Sequence, residues 1–165
     1  MPRVFTYGPD ALQGKMFDRI GPTDFLGGAV LSGFRMVFDK PNIKAEGQGF
    51  ANLEPDEDGE VFGAVFELTK KQLDLFDGFF GGYAQKTVGV QLVVDGEPGP
   101  RMQAVTWIGR RTQSGLEPHR QTLVWAWQAL EENGAPARFF DHLPEIPPEP
   151  EPEPEAATGG AEASP

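Results

Sequence analysis

Short runs of apolar and β-branched residues that end at glycine mark the start of this chain, and such runs are typical of β-strands. Val4 and Phe5 begin a first strand, which is predicted to end in a glycine turn at Gly8 because glycine adopts turn conformations at little cost. Residues 29–38 form a second apolar run, in which Gly33 predicts a bulge or bend. Backbone amides just beyond a glycine turn can face an anion, so the first turn is a candidate binding loop.

Two later pairs of apolar runs predict two β-hairpins. Residues 49–53 and 61–68 flank an acidic segment at 55–59, and residues 88–94 and 102–107 flank a segment rich in glycine and proline at 95–100. Both intervening segments have the composition of turns. We therefore expect each pair to form two adjacent antiparallel strands.

A helix is predicted between the two hairpins. Thr69 can cap a helix over residues 70–76, because its hydroxyl can accept a bond from a free backbone N–H of the first turn. Leu73 and Phe76 then lie on one face of that helix. The pattern favours a short helix packed against the strands.

A longer helix is predicted near the end of the apolar part of the chain. It begins near Pro118 and stops at Asn133-Gly134, a sequence typical of helix ends. Its apolar residues at helical spacing are Leu123, Trp127 and Leu130. Trp125 and Trp127 are expected to anchor a core or an interface. Pro136 opens a final short helix.

The composition changes abruptly at Pro144. Every residue from 147 to 155 is proline or glutamate, and small residues dominate from there to Pro165. Proline lacks a backbone donor and like charges repel, so this composition cannot build a core. We predict one folded domain over residues 1–145 and a disordered, acidic Pro/Glu-rich tail over residues 146–165.

The net charge of −11 is concentrated in that tail. Six glutamates and no lysine or arginine follow Leu143, which leaves about −5 for the rest of the chain. Nucleic-acid affinity depends on clustered lysine and arginine, so we expect no nucleic-acid partner. No apolar run is long enough to cross a bilayer and no leader segment is recognised, so we expect a cytoplasmic protein with no membrane role.

The residue types present restrict the chemistry. Cysteine is absent and the chain has only His119 and His142, which excludes thiol chemistry and argues against histidine triads and histidine-rich metal sites. A carboxylate is the remaining candidate for acid–base chemistry.

Several motifs follow one another in a recognisable order. They are Tyr7-Gly8-Pro9-Asp10, then Met16 and Arg19, then residues 29–35, 49–55 and 60–68, and finally Asn133-Gly134 with Pro136. In this order and spacing they resemble the gamma-glutamylcyclotransferase-like family, which includes the AIG2-like proteins, over most of residues 3–143. The resemblance implies an α+β fold, a small mixed β-barrel of about six strands with flanking helices.

The resemblance also implies a site and a reaction. In the family, the loop after the first strand binds the glutamyl group through backbone amides, and a glutamate in a Leu-Asp-x-x-Glu-Gly motif is the base in 5-oxoproline release. The substrate-binding positions implied here are Tyr7, Gly8, Pro9, Asp10, Ala11 and Tyr83. This chemistry needs a base and donors for an oxyanion, and it uses no metal or cofactor.

The first loop departs from the family pattern at two positions. Pro9 stands where the family has serine, and proline lacks the backbone N–H that could bind an anion. Asp10 stands where the family has asparagine, and it brings a negative charge to the place where a substrate carboxylate would dock. Both changes are expected to weaken anion binding.

The catalytic glutamate has two candidate equivalents. In one register residues 76–81 match the motif and Phe80 replaces the glutamate, which needs a shortened loop before Tyr83. In the other register residues 73–78 match and Asp77 is the base, which needs a deletion within the helix. Loops accommodate deletions better than helices do, so we favour the register with Phe80.

Two functions remain open at this point. The first is a gamma-glutamylcyclotransferase-like protein with a degenerate active site, weakly active or non-catalytic, which binds a small gamma-glutamyl-type ligand or a protein partner; the tail and an aromatic surface are candidate contacts for that partner. The second is an active cyclotransferase that releases 5-oxoproline with Asp77 as general base. The side chain opposite Tyr7 and Gly8 on the pocket floor discriminates them, since a carboxylate favours the enzyme and Phe80 favours the binding protein.

Overall fold

The computed structural model describes residues 1–150. Its strands are β1 (Arg3–Tyr7), β2 (Asp24–Pro41), β3 (Gly49–Glu67), β4 (Tyr83–Val94) and β5 (Glu97–Gly109). Its α-helices are α1 (Gln13–Ile20), α2 (Lys70–Asp77) and α3 (Arg120–Glu132), and two 3₁₀ helices span Gly8–Ala11 and Ala137–His142. Within these residues no helix combines the length and apolar character needed to cross a membrane.

The strands close into a barrel in the order β1-β3-β2-β4-β5. Neighbouring strands are antiparallel except at the seam, where β1 runs parallel to β5. Two side chains reinforce the seam. The Thr106 hydroxyl donates to the Phe5 carbonyl at 2.9 Å, and the Tyr7 hydroxyl donates to the Trp107 carbonyl at 2.6 Å. The predicted α+β fold with a small barrel and flanking helices is confirmed, with five strands in the described residues where about six were expected.

The first predicted hairpin is wrong. Residues 49–67 form the single strand β3, which pairs with β2 on both sides of the acidic segment. Residues 56–59 bulge out of β3 opposite Gly33, whose φ of 91° bends β2 at the predicted position. A segment with turn composition is accommodated as a bulge here because both flanking runs share one partner strand.

The second predicted hairpin is present, with a shorter turn. Val94 pairs with Glu97, so Asp95 and Gly96 alone connect β4 to β5. Both residues have positive φ, as a two-residue hairpin turn requires. Pro98 lies within β5, although it was expected in the turn.

The predicted helices are present. α2 begins with a capping box, in which the Thr69 hydroxyl accepts from the Gln72 N–H and the Gln72 side chain accepts from the Thr69 N–H. α3 buries Leu123, Ala126, Ala129 and Leu130. Its tryptophans lie at the margin of this face, with Trp125 39% and Trp127 38% exposed, so neither is fully part of the core.

The described part of the tail is attached to α3. Residues 144–150 have no regular secondary structure, and Arg120 Nε donates to the Pro147 carbonyl at 2.8 Å. Residues 151–165 of the predicted tail lie outside the described residues. The domain boundary at residue 145 stays a prediction.

Two apolar clusters position the site. One fills the barrel and includes Phe5 and Val65, and the other lies between the barrel and the helices and includes Val4, Phe76 and Trp107. Because adjacent residues of β1 belong to different clusters, β1 is fixed on both faces. The turn that follows β1 is therefore held rigidly at the barrel end.

Candidate functional site

The chain turns sharply at Gly8, directly after β1. Its φ is +61°, and a Cβ there would lie 3.1 Å from the Ala51 Cβ and 3.3 Å from the Met36 Sδ. Both the backbone conformation and the close packing therefore favour glycine. The turn continues as the first 3₁₀ helix, which separates two cavities.

The two cavities divide the predicted site residues. A cavity of about 410 Å³ has Gly8 and Ala11 in its wall. A cavity of about 360 Å³ on the other side has Pro9, Asp10 and Tyr83 in its wall, and we call it the basic aromatic cavity. Tyr7 is buried beneath the turn and lines neither cavity.

Phe80 forms part of the wall of the basic aromatic cavity. Its ring stacks on Trp107 with centroids 4.8 Å apart and an interplanar angle of 16°. It also meets the rings of Phe76 and Tyr83 edge-on, at 5.0 and 5.6 Å. Aromatic pairs in these geometries stabilise one another, so the ring is fixed in place. A side chain that cannot accept a proton occupies this part of the wall.

Asp77 is exposed at the end of α2 and lines neither cavity. Its Oδ1 accepts a hydrogen bond from Trp107 Nε1 at 2.8 Å and one from Gln85 Nε2 at 2.9 Å. These bonds, that from Trp107 foremost, lower the pKa of Asp77 from its ordinary value because they stabilise the ionised form. In this position the carboxylate braces Trp107, which stacks on Phe80.

Cations dominate the charge of the basic aromatic cavity. Its wall contains Lys15, Arg19 and Lys40, and Asp10 is its one carboxylate among the described residues. Arg19 Nη1 donates to Asp10 Oδ1 at 2.8 Å, and Lys15 Nζ lies 3.8 Å from the same oxygen. The negative charge that was expected to repel an anion is therefore balanced, and the wall keeps a net positive charge.

Lys15 also contacts an aromatic ring of the cavity wall. Its Nζ lies 4.8 Å from the ring centroid of Trp125, a cation–π arrangement. Burial lowers the pKa of Lys15 from its ordinary value, and the Asp10 carboxylate opposes that shift.

The hydroxyl groups of the two tyrosines of the predicted site both donate hydrogen bonds to backbone carbonyls. Tyr7 donates to the Trp107 carbonyl at 2.6 Å and Tyr83 donates to the Ala51 carbonyl at 2.9 Å. Burial, the largest cause in each case, raises the pKa of both phenols well above the ordinary value. Each hydroxyl therefore stays protonated and holds the structure, and only the Tyr83 ring faces the cavity.

Exposed apolar side chains form the mouth of the basic aromatic cavity. They are Ile43, Phe50, Phe79 and Trp125, of which Phe79 is 52% exposed. The Arg19 guanidinium lies 5.1 Å from the Phe79 ring centroid, so cations and rings alternate around the opening. An anionic group attached to an apolar or planar group fits this wall.

Lys15, Lys40, Phe50 and Trp125 were not predicted as residues of this site, and Trp125 was expected only as an anchor of a core or an interface. Lys15 and Arg19 are four residues apart, so they share a helix face, and this spacing could have shown them as a pair had α1 been predicted. Lys40 comes from the end of β2 and Trp125 from α3. Only the tertiary fold brings these elements together. Within residues 1–150 no group of three or more potential metal-ligating side chains is arranged to hold an ion.

No protein-family model and no curated protein sequence matches the chain. Among solved structures, a gamma-glutamyl cyclotransferase matches with a TM-score of 0.75 and 22% identity over 89% of this chain and 88% of its own. An uncharacterized protein from Homo sapiens has the same TM-score and identity over 92% of this chain and 90% of its own. A yeast gamma-glutamyl cyclotransferase specific to glutathione has a TM-score of 0.59 and 12% identity over 86% and 94% of the two chains. The chain therefore has the gamma-glutamyl cyclotransferase fold.

Proposed function

We propose that this protein is a non-catalytic or weakly active member of this fold that binds a small ligand in the basic aromatic cavity. The ligand carries a carboxylate or similar anion, as gamma-glutamyl compounds do, joined to an apolar or planar group. The observation that carries the proposal is Phe80, which stacks on Trp107 in the cavity wall and cannot accept a proton.

The remaining carboxylates near the cavity support the same function. Asp10 is paired with Arg19, and Asp77 lies outside the cavity with two hydrogen-bond donors on one oxygen. A general base must reach the proton that it removes and must accept it near the working pH. Asp77 does not reach the cavity, and Asp10 is held in an ion pair with Arg19.

The cations of the wall supply the anion affinity. Lys40 Nζ lies 5.9 Å from the Tyr83 ring centroid and donates to the Arg110 carbonyl at 3.0 Å, so it is held at the cavity. A cation in a half-buried wall attracts a carboxylate more strongly than one in open solvent does. Pro9 still removes one backbone donor, so the binding that we propose depends on side chains more than on the backbone.

An assay of 5-oxoproline release from gamma-glutamyl amines and peptides tests the catalytic part. We expect no appreciable release by the wild type, little by Phe80→Glu alone, and measurable turnover by the triple variant Pro9→Ser, Asp10→Asn, Phe80→Glu. Loss of a general base costs about 10²–10⁴-fold in rate, so restoring it should be detectable. The matched control places the glutamate one residue earlier, as Phe79→Glu with the same two loop changes, and should stay inactive.

The alternative with Asp77 as general base makes the opposite prediction. In that case the wild type releases 5-oxoproline, and Asp77→Asn abolishes the release because an amide keeps the shape but cannot accept the proton. Robust release that is unaffected by Phe80→Ala would contradict our proposal.

Calorimetric titration with gamma-glutamyl peptides tests the binding part. Lys40→Gln should weaken binding by about five- to tenfold, the size expected for one partly screened charge. Lys86→Gln removes an exposed lysine of β4 that does not line the cavity, and it should leave the affinity unchanged. Equal effects of the two changes would contradict a site at this cavity.

A further inference from the structure

The larger of the two cavities beside the first turn has no part in the proposed function. It has a volume of about 410 Å³, and none of its wall residues lines the basic aromatic cavity. β3, α3 and the second 3₁₀ helix enclose it, with Asp56 and Asp58 in its wall, and we call it the acidic cavity. Small-molecule sites have volumes of about 300–1,000 Å³, so this cavity is large enough for a ligand.

The inner wall of the acidic cavity is apolar. Phe62 and Phe139 are buried there with ring centroids 5.4 Å apart, and Leu130 packs in the same apolar cluster. α3 adds Ala126 and Ala129, whose short side chains leave the space between helix and strand unfilled. An apolar wall of this kind favours a hydrocarbon group over water.

Two carboxylates lie where the acidic cavity opens to solvent. Asp56 is half-buried and Asp58 is exposed, and both belong to the bulge of β3 at residues 56–59. The Asp58 N–H donates to Asp56 Oδ1 at 3.0 Å, so the two residues are held close together. Neither side chain forms a salt bridge within residues 1–150. The bulge therefore brings two uncompensated negative charges to the opening.

The other charged side chains of this wall are paired. Arg35 Nε donates to Glu54 Oε2 at 2.7 Å, and Arg138 Nε donates to Glu60 Oε1 at 3.0 Å. His142 is the remaining titratable side chain of the wall. Because each pair is neutral as a whole, the two aspartates of the bulge determine the charge of the cavity.

These features select an organic cation as the ligand. A metal ion requires several ligating side chains, and within residues 1–150 no group of three or more is arranged to hold one. A neutral apolar molecule would contact the inner wall and leave the two aspartates without a partner. A cation joined to an apolar chain fits both parts of the wall, because a carboxylate in a half-buried wall attracts a cation more strongly than one in open solvent does.

We propose that the acidic cavity is a second binding site, for a primary amine joined to an apolar chain. The ammonium group lies between Asp56 and Asp58, and the chain lies against Phe62 and Phe139. This site is separate from that of the proposed function, since the first 3₁₀ helix divides the two cavities and their charges are opposite. The protein thus has a site for an anion and a site for a cation on the two sides of one turn.

Titration of the full chain with hexylamine near neutral pH, followed by methyl NMR, tests the proposal. We expect saturable shifts of the methyl signals of Ala126, Ala129 and Leu130, which line the acidic cavity. The methyl signals of Ile43 and Thr122, which line the basic aromatic cavity, should stay in place. Shifts confined to this second group of signals, or the absence of any saturable shift, would overturn the proposal.

Related molecules test the two parts of the wall one at a time. Propylamine should bind more weakly than hexylamine by about fourfold for each methylene removed, the factor that corresponds to about 0.8 kcal/mol. Hexanol lacks the charge and should bind about tenfold more weakly than hexylamine. The proposal would be overturned if hexanol bound as tightly as hexylamine, or if propylamine did.

A double variant removes the charges of the opening. Asp56→Asn with Asp58→Asn keeps the side-chain oxygen that accepts the Asp58 N–H, and it should weaken hexylamine binding by about tenfold or more. The matched control is Glu57→Gln with Asp95→Asn, which removes two exposed charges, one of them from the same bulge, that do not line the cavity. It should change the affinity by less than about twofold, because salt screens distant exposed charges. Equal losses in the two variants would overturn the proposal. No gamma-glutamyl ligand is used, so the result can be read whether or not the proposed function holds.

Discussion

Phe80 is enclosed by aromatic rings on three sides, and its loss is expected to affect stability as well as the cavity. Its contacts with Phe76, Tyr83 and Trp107 join α2, β4 and β5. The residue that distinguishes the two functions is therefore also a packing residue. Variants of Phe80 must be checked for folding before their activity is interpreted.

We predict that Phe80→Ala lowers the free energy of unfolding by about 2–4 kcal/mol, the size typical of large-to-small changes at packed aromatic positions. Urea unfolding followed by circular dichroism measures it. Phe79→Ala is the matched control, because Phe79 is 52% exposed, and its loss should stay below about 1 kcal/mol. Equal losses would mean that the ring stack on Trp107 contributes little.

The contribution of Asp77 to stability is predicted to depend on pH. Its pKa is lowered in the folded protein, chiefly by the bond from Trp107, so folding favours its ionised form. The stability that it adds is present above its unfolded pKa of about 3.9 and is lost as the pH falls through the lower folded value. Asp77→Asn should therefore reduce stability at neutral pH and lose its effect in strong acid. Urea unfolding at a series of pH values measures the effect, with Asp74→Asn, on an exposed residue of the same helix, as the matched control.

At the level of single residues, only part of the candidate site could be predicted from the sequence. The loop with Pro9 and Asp10 could be located from the glycine turn and the order of the motifs. The charge balance around Asp10 could not, because it depends on a bond from Arg19 in a helix whose only buried residue is Met16. A helix with so small an apolar face gives a weak periodic signal.

The barrel strands approach so closely at some positions that only glycine fits. A Cβ on Gly63 of β3 would overlap the Thr6 carbonyl oxygen and lie 2.7 Å from the Phe5 ring. A Cβ on Gly89 of β4 would meet no atom within 4 Å. A side chain at position 63 therefore requires the backbone to move, whereas position 89 has room for one.

We predict that Gly63→Ala lowers the free energy of unfolding by about 3 kcal/mol or more, or prevents folding, because the backbone of β1 must move. Gly89→Ala should leave it unchanged or raise it by up to about 1 kcal/mol, since alanine loses less backbone entropy on folding. Thermal unfolding of the two variants makes the comparison. A large loss for Gly89→Ala would contradict the described course of β4.

Elements with explicit end signals were the ones that could be predicted. Thr69 caps α2 and Asn133 with Gly134 ends α3, and both signals are local. The acidic segment 56–59 misled the sequence analysis because turn composition does not reveal whether the flanking strands pair with each other or with a third strand. That choice depends on β2, whose first half pairs with the far end of β3, as in the pair Asp24 and Glu67.

The charge of the whole molecule opposes that of its cavity. The chain carries −11, whereas the cavity wall is net positive. Long-range repulsion should slow the approach of an anionic ligand. At 0.1 M, salt screens this repulsion beyond about 10 Å. We predict that moderate salt raises the association rate constant of a gamma-glutamyl peptide. Stopped-flow fluorescence measures the rate, and a neutral amide analogue should show no such rise.

The seam of the barrel has a consequence for the order of events during synthesis. β1 leaves the ribosome before the other strands. Its parallel neighbour β5 carries Trp107, which accepts the hydrogen bond from Tyr7 and follows it by 100 residues. The wall of the basic aromatic cavity likewise combines Pro9 with Trp125. Domains generally fold once their parts have emerged, so the cavity is completed only when α3 is outside.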